Sequence, residues 1–222
     1  MGMVTARIER NTIHDHQWGI LVLGKVGQAG LSELPVVIHE NTIHSSIWIW
    51  QSTTVAVSKN AILRNEASEP IVIAIDDSGD IVISENLIEG SLGVWISQSF
   101  VKMMTRNIIR KNFISIYTEG SRVSLSDNQI EQNGWGVAVA SRWRGPQDSL
   151  VQLTGNRITQ QEYYGLVVSA KEGKIATLCY NQREPERRQH VKRRTLIALF
   201  MKSFLQGEAQ APGVLVSQIR DG

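Results

Sequence analysis

Apolar and polar positions alternate in short bursts along the chain, and one burst recurs. It reads apolar-x-apolar-x-x-Asn-x-Ile, and seven copies stand between Ala6 and Ile158. The clearest are Val36–Ile43, Val55–Ile62, Ile81–Ile88, Val123–Ile130 and Val151–Ile158. A degenerate copy runs Ala6–Ile13, and an irregular one runs Lys102–Ile109. Their asparagines, Asn11, Asn41, Asn60, Asn86, Asn107, Asn128 and Asn156, are separated by 30, 19, 26, 21, 21 and 28 residues. A constant phrase at variable spacing predicts one repeated unit with loops of unequal length.

Each Asn phrase is followed by a second alternating phrase. These are Gly19–Val22, Ser46–Ile49, Pro70–Ile73, Gly93–Ile96, Phe113–Ile116, Gly136–Val139 and Gly165–Val168. Strict alternation over a few residues marks half-buried strands. Two or three short strands per unit, with no helix between them, predict a solenoid. One unit cannot bury its apolar positions alone, whereas stacked units bury a continuous core. The Asn suits a tight bend, because it tolerates left-handed geometry and its amide can bond to backbone. Stacked copies would form an internal amide ladder.

This pattern resembles the right-handed parallel β-helix of the pectin-lyase-like superfamily over about residues 4–170. More narrowly it is similar to the Asn-x-Ile and Gly-Ile-x-Val repeats of carbohydrate-binding and sugar-hydrolase-type domains. Such repeats occur in mannuronan epimerases, periplasmic copper-maturation factors and some F-box proteins. The resemblance implies an all-β solenoid of about seven coils and an extracytoplasmic setting. Fold alone does not name an activity.

Aligning the copies on Asn exposes columns. One residue before Asn stand Arg10, Glu40, Lys59, Glu85, Arg106, Asp127 and Gly155, the first six alternating in sign. Such a column favours one stacking register, since like charges side by side are unfavourable. Two before Asn stand Ser58, Ser84, Thr105, Ser126 and Thr154, a hydroxyl column. Lys102 breaks the pattern by occupying an apolar slot, and Asn112-x-Ile114 offers a rival frame there.

Beyond Ala170 the pattern fades, with Lys174–Asn181 as one further partial coil. Residues 185–205 are predicted as a helix, opened by Pro185 and closed by Gly207. Its apolar face would cap the open end of the stack, whose edges need cover. The expected organisation is a β-helix over residues 1–180 and a helix and tail over 181–222. No comparable cap precedes the first coil, which is expected of either a fragment of a longer protein or a partly open end.

Charge changes this picture only at the tail. The net charge of +2 conceals +5 in residues 170–222, from ten Lys/Arg and five Asp/Glu, against −3 elsewhere. The stretch Arg183–Arg194 could attract an anion, but it lacks the interleaved aromatics of a nucleic-acid site. Cys179 is the only cysteine, so no intrachain disulfide exists. The first residues show no secretory signal, and no apolar run reaches the roughly 18 residues of a membrane span.

Three sets of residues could carry chemistry. The x position of the second phrase faces outward, giving Leu21, Trp48, Val72, Trp95, Ser115, Ala138 and Val167, with Trp50 beside them. An outward apolar stripe marks an interface, and its indoles suit stacking on sugar rings. His14 and His44 share a column three residues after Asn, with Asp15, His16, His39 and Glu40 near in sequence. Imidazole and carboxylate suit Cu or Zn. Asp76, Asp77 and Asp80 read as a polar turn, and no aligned column holds acids in adjacent coils. That disfavours the Ca²⁺ site the resemblance would imply for a lyase. The pattern favours a non-catalytic repeat module, without a cofactor, presenting a ladder surface to a polysaccharide or protein partner. Its rivals are a polysaccharide lyase, epimerase or hydrolase and a metal-associated periplasmic factor.

Overall fold

The computed structural model describes residues 6–14, 18–24, 36–63, 71–140 and 148–169, together with the backbone of 176–181. Every described element is a strand, and the strands form three parallel sheets of eight, seven and seven. The first sheet stacks Ala6–Glu9, Val36–His39, Val55–Ser58, Ile81–Ser84, Phe100–Thr105, Arg122–Ser126, Ser149–Thr154 and Ala176–Asn181. The second stacks Thr12–Ile13, Thr42–Ile43, Ala61–Leu63, Leu87–Glu89, Ile108–Arg110, Gln129–Glu131 and Arg157–Thr159. The third stacks Trp18–Leu23, Ser46–Trp50, Ile71–Asp76, Leu92–Ser97, Ile114–Glu119, Trp135–Ala140 and Tyr164–Ser169. Each circuit visits the three sheets in turn, so consecutive strands never pair and equivalent strands of successive coils do. This is a parallel β-helix of seven coils with an eighth strand on the first sheet. The helix expected over 185–205 and the basic stretch 183–194 lie outside the described residues.

The Asn-x-Ile phrase accounts for the second sheet. Its isoleucines pair coil to coil as Ile13, Ile43, Ile62, Ile88, Ile109, Ile130 and Ile158. The five central ones are fully buried. The first sheet adds Ile38, Val57, Ile83, Met104, Leu125 and Leu153 to the same core, and the third adds Ile49, Ile75 and Ile96. Similar branched side chains stack one strand spacing apart, about 4.8 Å, through the interior. Each fully buried aliphatic side chain contributes on the order of 1.5–3 kcal/mol.

Three corners turn the chain, and each is built the same way. A residue with positive φ is followed by a polar side chain that bonds to the neighbouring coil. At the first corner Arg10, Glu40, Lys59, Glu85, Arg106 and Asp127 hold φ between 54° and 59°, and Gly155 holds 66°. The asparagines follow. Asn41 Oδ1 accepts the Asn11 backbone N–H at 2.9 Å, and Asn41 N–H donates to Asn60 Oδ1 at 2.9 Å. The same backbone-to-amide bond links Asn60 to Asn86, Asn86 to Asn107, Asn107 to Asn128 and Asn128 to Asn156. A left-handed residue costs about 1–2 kcal/mol, and the bonds made by the following amide offset it.

The other two corners were not anticipated as columns. At the second, Lys111 and Gln132 hold φ of 57° and 55°, and Asn112 N–H donates to Asn133 Oδ1 at 2.9 Å. At the third, Gln51, Asp77 and Gln98 hold φ of 50°, 48° and 48°. Here the backbone N–H of Ser52, Ser78 and Ser99 donates to Ser78, Ser99 and Ser121 Oγ at 3.1, 3.1 and 3.0 Å. Both Asn107 and Asn112 are therefore corner residues, so the two frames proposed for that coil belong to different corners. Lys102 is displaced by a β-bulge. Val101 pairs with Ile81 and Met104 with Ile83, leaving one extra residue between them. Val101 and Met104 are buried, while Lys102 and Met103 are exposed.

One inward position on the third sheet is polar. Thr118 aligns with Ile96 and Val139, is fully buried, and its hydroxyl has no hydrogen-bond partner. An unsatisfied buried hydroxyl costs about 1–3 kcal/mol. We expect Thr118→Val to raise stability by about 1 kcal/mol, measured as a higher denaturation midpoint at unchanged slope. A lower midpoint would contradict this.

Candidate functional site

The outward face of the third sheet carries two parallel columns. Strand pairing sets the first as Leu21, Trp48, Ala74, Trp95, Tyr117, Ala138 and Val167. The second, two residues further along each strand, is Leu23, Trp50, Asp76, Ser97, Glu119, Ala140 and Ser169. Five of the seven expected outward positions stand as predicted. The other two, Val72 and Ser115, do not belong to this column. Val72 is fully buried in the core cluster, and Ala74 takes its place. Ser115 is fully buried and donates to the Trp135 carbonyl at 3.0 Å, and Tyr117 takes its place. The physical reason is the period of a strand. Ile71, Ile73 and Ile75 alternate alike, so a slip of two residues leaves the hydrophobic pattern unchanged.

The face changes character along the stack. At the first two coils Trp18, Leu21, Leu23 and Trp50 are 49%, 44%, 61% and 49% exposed. Trp18 and Trp48 tilt against each other with ring centroids 5.9 Å apart. At the fourth and fifth coils Trp95 stacks on Tyr117 with centroids 4.2 Å apart and planes 29° apart. Trp48 and Trp95 are half-buried, while Ala74, Tyr117 and Ala138 are buried. The Tyr117 hydroxyl donates to Glu119 Oε2 at 3.1 Å, and Ser97 Oγ donates to Glu119 Oε1 at 3.4 Å. Burial, reinforced by the Glu119 charge, raises the Tyr117 pKa, so the phenol stays protonated and remains a donor. The result is an aromatic stack with a hydroxyl and a carboxylate fixed beside it.

The same arrangement of stacked coils is recognisable in the sequence: the family model described as the right-handed beta helix region matches residues 2–147. The chain belongs to this family. No curated protein matches the chain.

The remaining candidates occupy other faces of the right-handed β-helix. His14 and His44 stand one coil apart at the end of the second sheet, where His44 N–H donates to the Ile13 carbonyl at 2.8 Å. Both are exposed. Among the described residues no three His, Cys, Asp or Glu side chains gather to hold a metal. Asp15 and His16 lie outside the described residues. Further along the same column Arg110 donates to Glu89 at 2.5 Å, and Lys111 donates to it at 3.3 Å. Partial burial alone would raise the Glu89 pKa, but the bonds from Arg110 and Lys111 outweigh it and hold the carboxyl low.

On the first corner of the right-handed β-helix, Arg106 pairs with Glu85 at 2.8 Å. Asp76 ends a third-sheet strand in the outward polar column, so it is not the free turn residue its sequence neighbours implied. Glu119 and Tyr117 escaped sequence reasoning because the fifth phrase was taken two residues early. The available signal was the acid placed two residues after an outward position in both Ala74-x-Asp76 and Tyr117-x-Glu119. Among the described residues, no helix is long and apolar enough to cross a membrane.

Proposed function

We propose that this β-helix repeat module acts by binding, and that the outer face of its third sheet receives a polysaccharide partner without catalysing a reaction on it. The observation that carries this reading is the side-by-side placement of an aromatic column and a polar column. Trp48 and Trp95 offer half-exposed indole surface, and Asp76 and Glu119, also half-exposed, stand in the neighbouring column. Sugar rings present both an apolar face and hydroxyls, so a site for them combines stacking surface with a few placed polar groups. Leu21 and Trp50 extend the apolar surface to the first coils. A protein partner is the other occupant such a face can take, because exposed Trp and Leu anchor protein interfaces equally well.

A glycan array separates these occupants. Binding to one polysaccharide class should weaken at least tenfold in Trp95→Ala and in Trp48→Ala, with the fold intact by circular dichroism. Unchanged glycan binding in both variants would eliminate the proposal. A polysaccharide-active enzyme is the second reading, favoured by one observation. Asp76 and Glu119 stand two coils apart on one face, on the order of 10 Å by strand spacing, near the roughly 6.5–9.5 Å of inverting carboxylate pairs. Release of oligosaccharides from a uronate polymer, lost in Glu119→Gln, would establish it.

A further inference from the structure

We propose that Ser58, His39 and Glu40 form a nucleophile, base and carboxylate chain on the outer face of the first sheet, competent to transfer a small acyl group from an ester to water. This site is distinct from the third-sheet face and stands or falls independently of it.

His39 and Ser58 end adjacent first-sheet strands and are register partners. Their side chains meet, with His39 Nδ1 2.9 Å from Ser58 Oγ. The other ring nitrogen, Nε2, lies 3.1 Å from Glu40 Oε1. Glu40 meets Nε2 as a charge contact rather than a hydrogen bond, and a negative charge at that nitrogen favours the tautomer that carries the ring hydrogen there. Nδ1 is then the acceptor and takes the Ser58 hydroxyl hydrogen. A serine nucleophile needs this hydroxyl-to-imidazole contact, and here a carboxylate stands beside the far ring nitrogen. The corner supplies the geometry. Glu40 holds φ at 54°, and this left-handed turn brings its carboxylate back onto the ring of the preceding residue.

The hydroxyl column contains Ser58, Ser84, Thr105, Ser126 and Thr154, in register across neighbouring coils. Ser58 is the member that faces an imidazole in the adjoining strand. The His39 side chain is 26% exposed and that of Glu40 is 44% exposed. Ser58 is half-buried, so an ester can reach it. The face is flat, which limits the acyl group to a small one on a large or activated alcohol.

The step balances as follows. Ser58 Oγ attacks the ester carbonyl carbon while its proton moves to His39 Nδ1. The tetrahedral intermediate expels the alcohol, which leaves with that proton. Water then attacks the acyl-serine, passes its proton through His39, and releases the carboxylic acid with Ser58 restored. Glu40 acts through His39 as a positioning residue.

The test uses the full chain with p-nitrophenyl acetate. We expect a burst of nitrophenolate and an acetyl group that peptide mass mapping places on Ser58. Ser58→Ala and His39→Gln should each lower the rate by at least ~100-fold, the lower range for general-base assistance. Ser58→Thr keeps a hydroxyl that Thr105 and Thr154 show this column accommodates, and should retain the fold with a reduced rate. Glu40→Gln should lower kcat with KM unchanged, because the amide no longer places a negative charge beside Nε2. The other charged groups around His39 are Glu9 on the neighbouring strand, with Arg7 and Arg10 beside it, and Lys59 after Ser58. An acetyl group on Lys59 rather than Ser58, or an unchanged rate in Ser58→Ala, would overturn the proposal.

Discussion

Asn107→Ala should be the most destabilising single truncation in the first corner, costing about 4 kcal/mol or more. Asn107 is fully buried. Its Oδ1 accepts from the Asn86 backbone N–H and from Asn86 Nδ2, both at 3.0 Å. Its Nδ2 donates to the Ile83 carbonyl at 3.0 Å, the Thr105 carbonyl at 3.1 Å and Asn128 Oδ1 at 2.9 Å. Alanine leaves all these partners without it, and each buried unsatisfied group costs about 1–3 kcal/mol. The costs do not add fully, because neighbouring groups share one cavity and relax together. Even so, the melting temperature should fall by about 10 °C, taking roughly 2–4 °C per kcal/mol for a domain of this size.

The same change at Asn11, which is exposed, should cost at most about 1 kcal/mol. Equal effects at both sites would refute the account. Asn107→Asp keeps the acceptor, loses the donors and buries a carboxylate. Burial raises that carboxyl's folded pKa above its unfolded value near 4. The penalty is therefore largest at neutral pH and shrinks as pH falls through the raised pKa, where the protonated acid is favoured in the folded state.

Gly136→Ala should produce the second large effect, about 2–3 kcal/mol, and concentrate it at the last coil. A Cβ on Gly136 would lie 2.2 Å from the Gly165 carbonyl oxygen and 3.0 Å from its carbon. Both are backbone atoms of the next coil, so no side-chain rotation relieves the clash. Overpacking of this kind forces backbone shifts costing about 1–3 kcal/mol. Gly93 faces the same limit, 2.4 Å from the Ser115 carbonyl oxygen. Gly79→Ala is the control, since its Cβ would meet nothing nearer than Thr53 Cγ2 at 3.9 Å. Amide hydrogen exchange should show the strands Trp135–Ala140 and Tyr164–Ser169 losing protection in Gly136→Ala but not in Gly79→Ala. Uniform loss of protection along the solenoid in Gly136→Ala would contradict this localisation.

These two residues show why much of the fold was legible before any coordinates. Asn107 belongs to a phrase repeated seven times, and a repeat stacked on itself must place like residues in columns. The isoleucine core of the second sheet and the asparagine-bearing first corner therefore follow from alignment alone. Gly136 opens a second phrase where the backbone of the next coil leaves no room for a Cβ. The serine corner was less visible. Ser52, Ser78, Ser99, Ser121 and Ser149 precede the apolar phrase at offsets of two or three residues, and serine is common in any turn. The second corner uses Asn112 and Asn133, whereas Ser46, Ser91 and Gln161 stand five residues after the phrase asparagine in other coils, so no seven-fold signal existed there.

What the sequence determined by itself was the repeat, the sheet that each phrase enters and the alternation of inward and outward positions. These are local properties with short periods, and repetition amplifies them. Tertiary structure alone decided register where that period is ambiguous. A two-residue slip is invisible to alternation, so only pairing with neighbouring coils could replace Val72 by Ala74 and Ser115 by Tyr117. It likewise resolved Lys102 into a bulge, because one extra residue is absorbed only when both flanking strands hold their register. The candidate sites depend on that decision. The contact of Tyr117 with Glu119, and of Ser58 with His39, joins residues whose adjacency is set by stacking between strands.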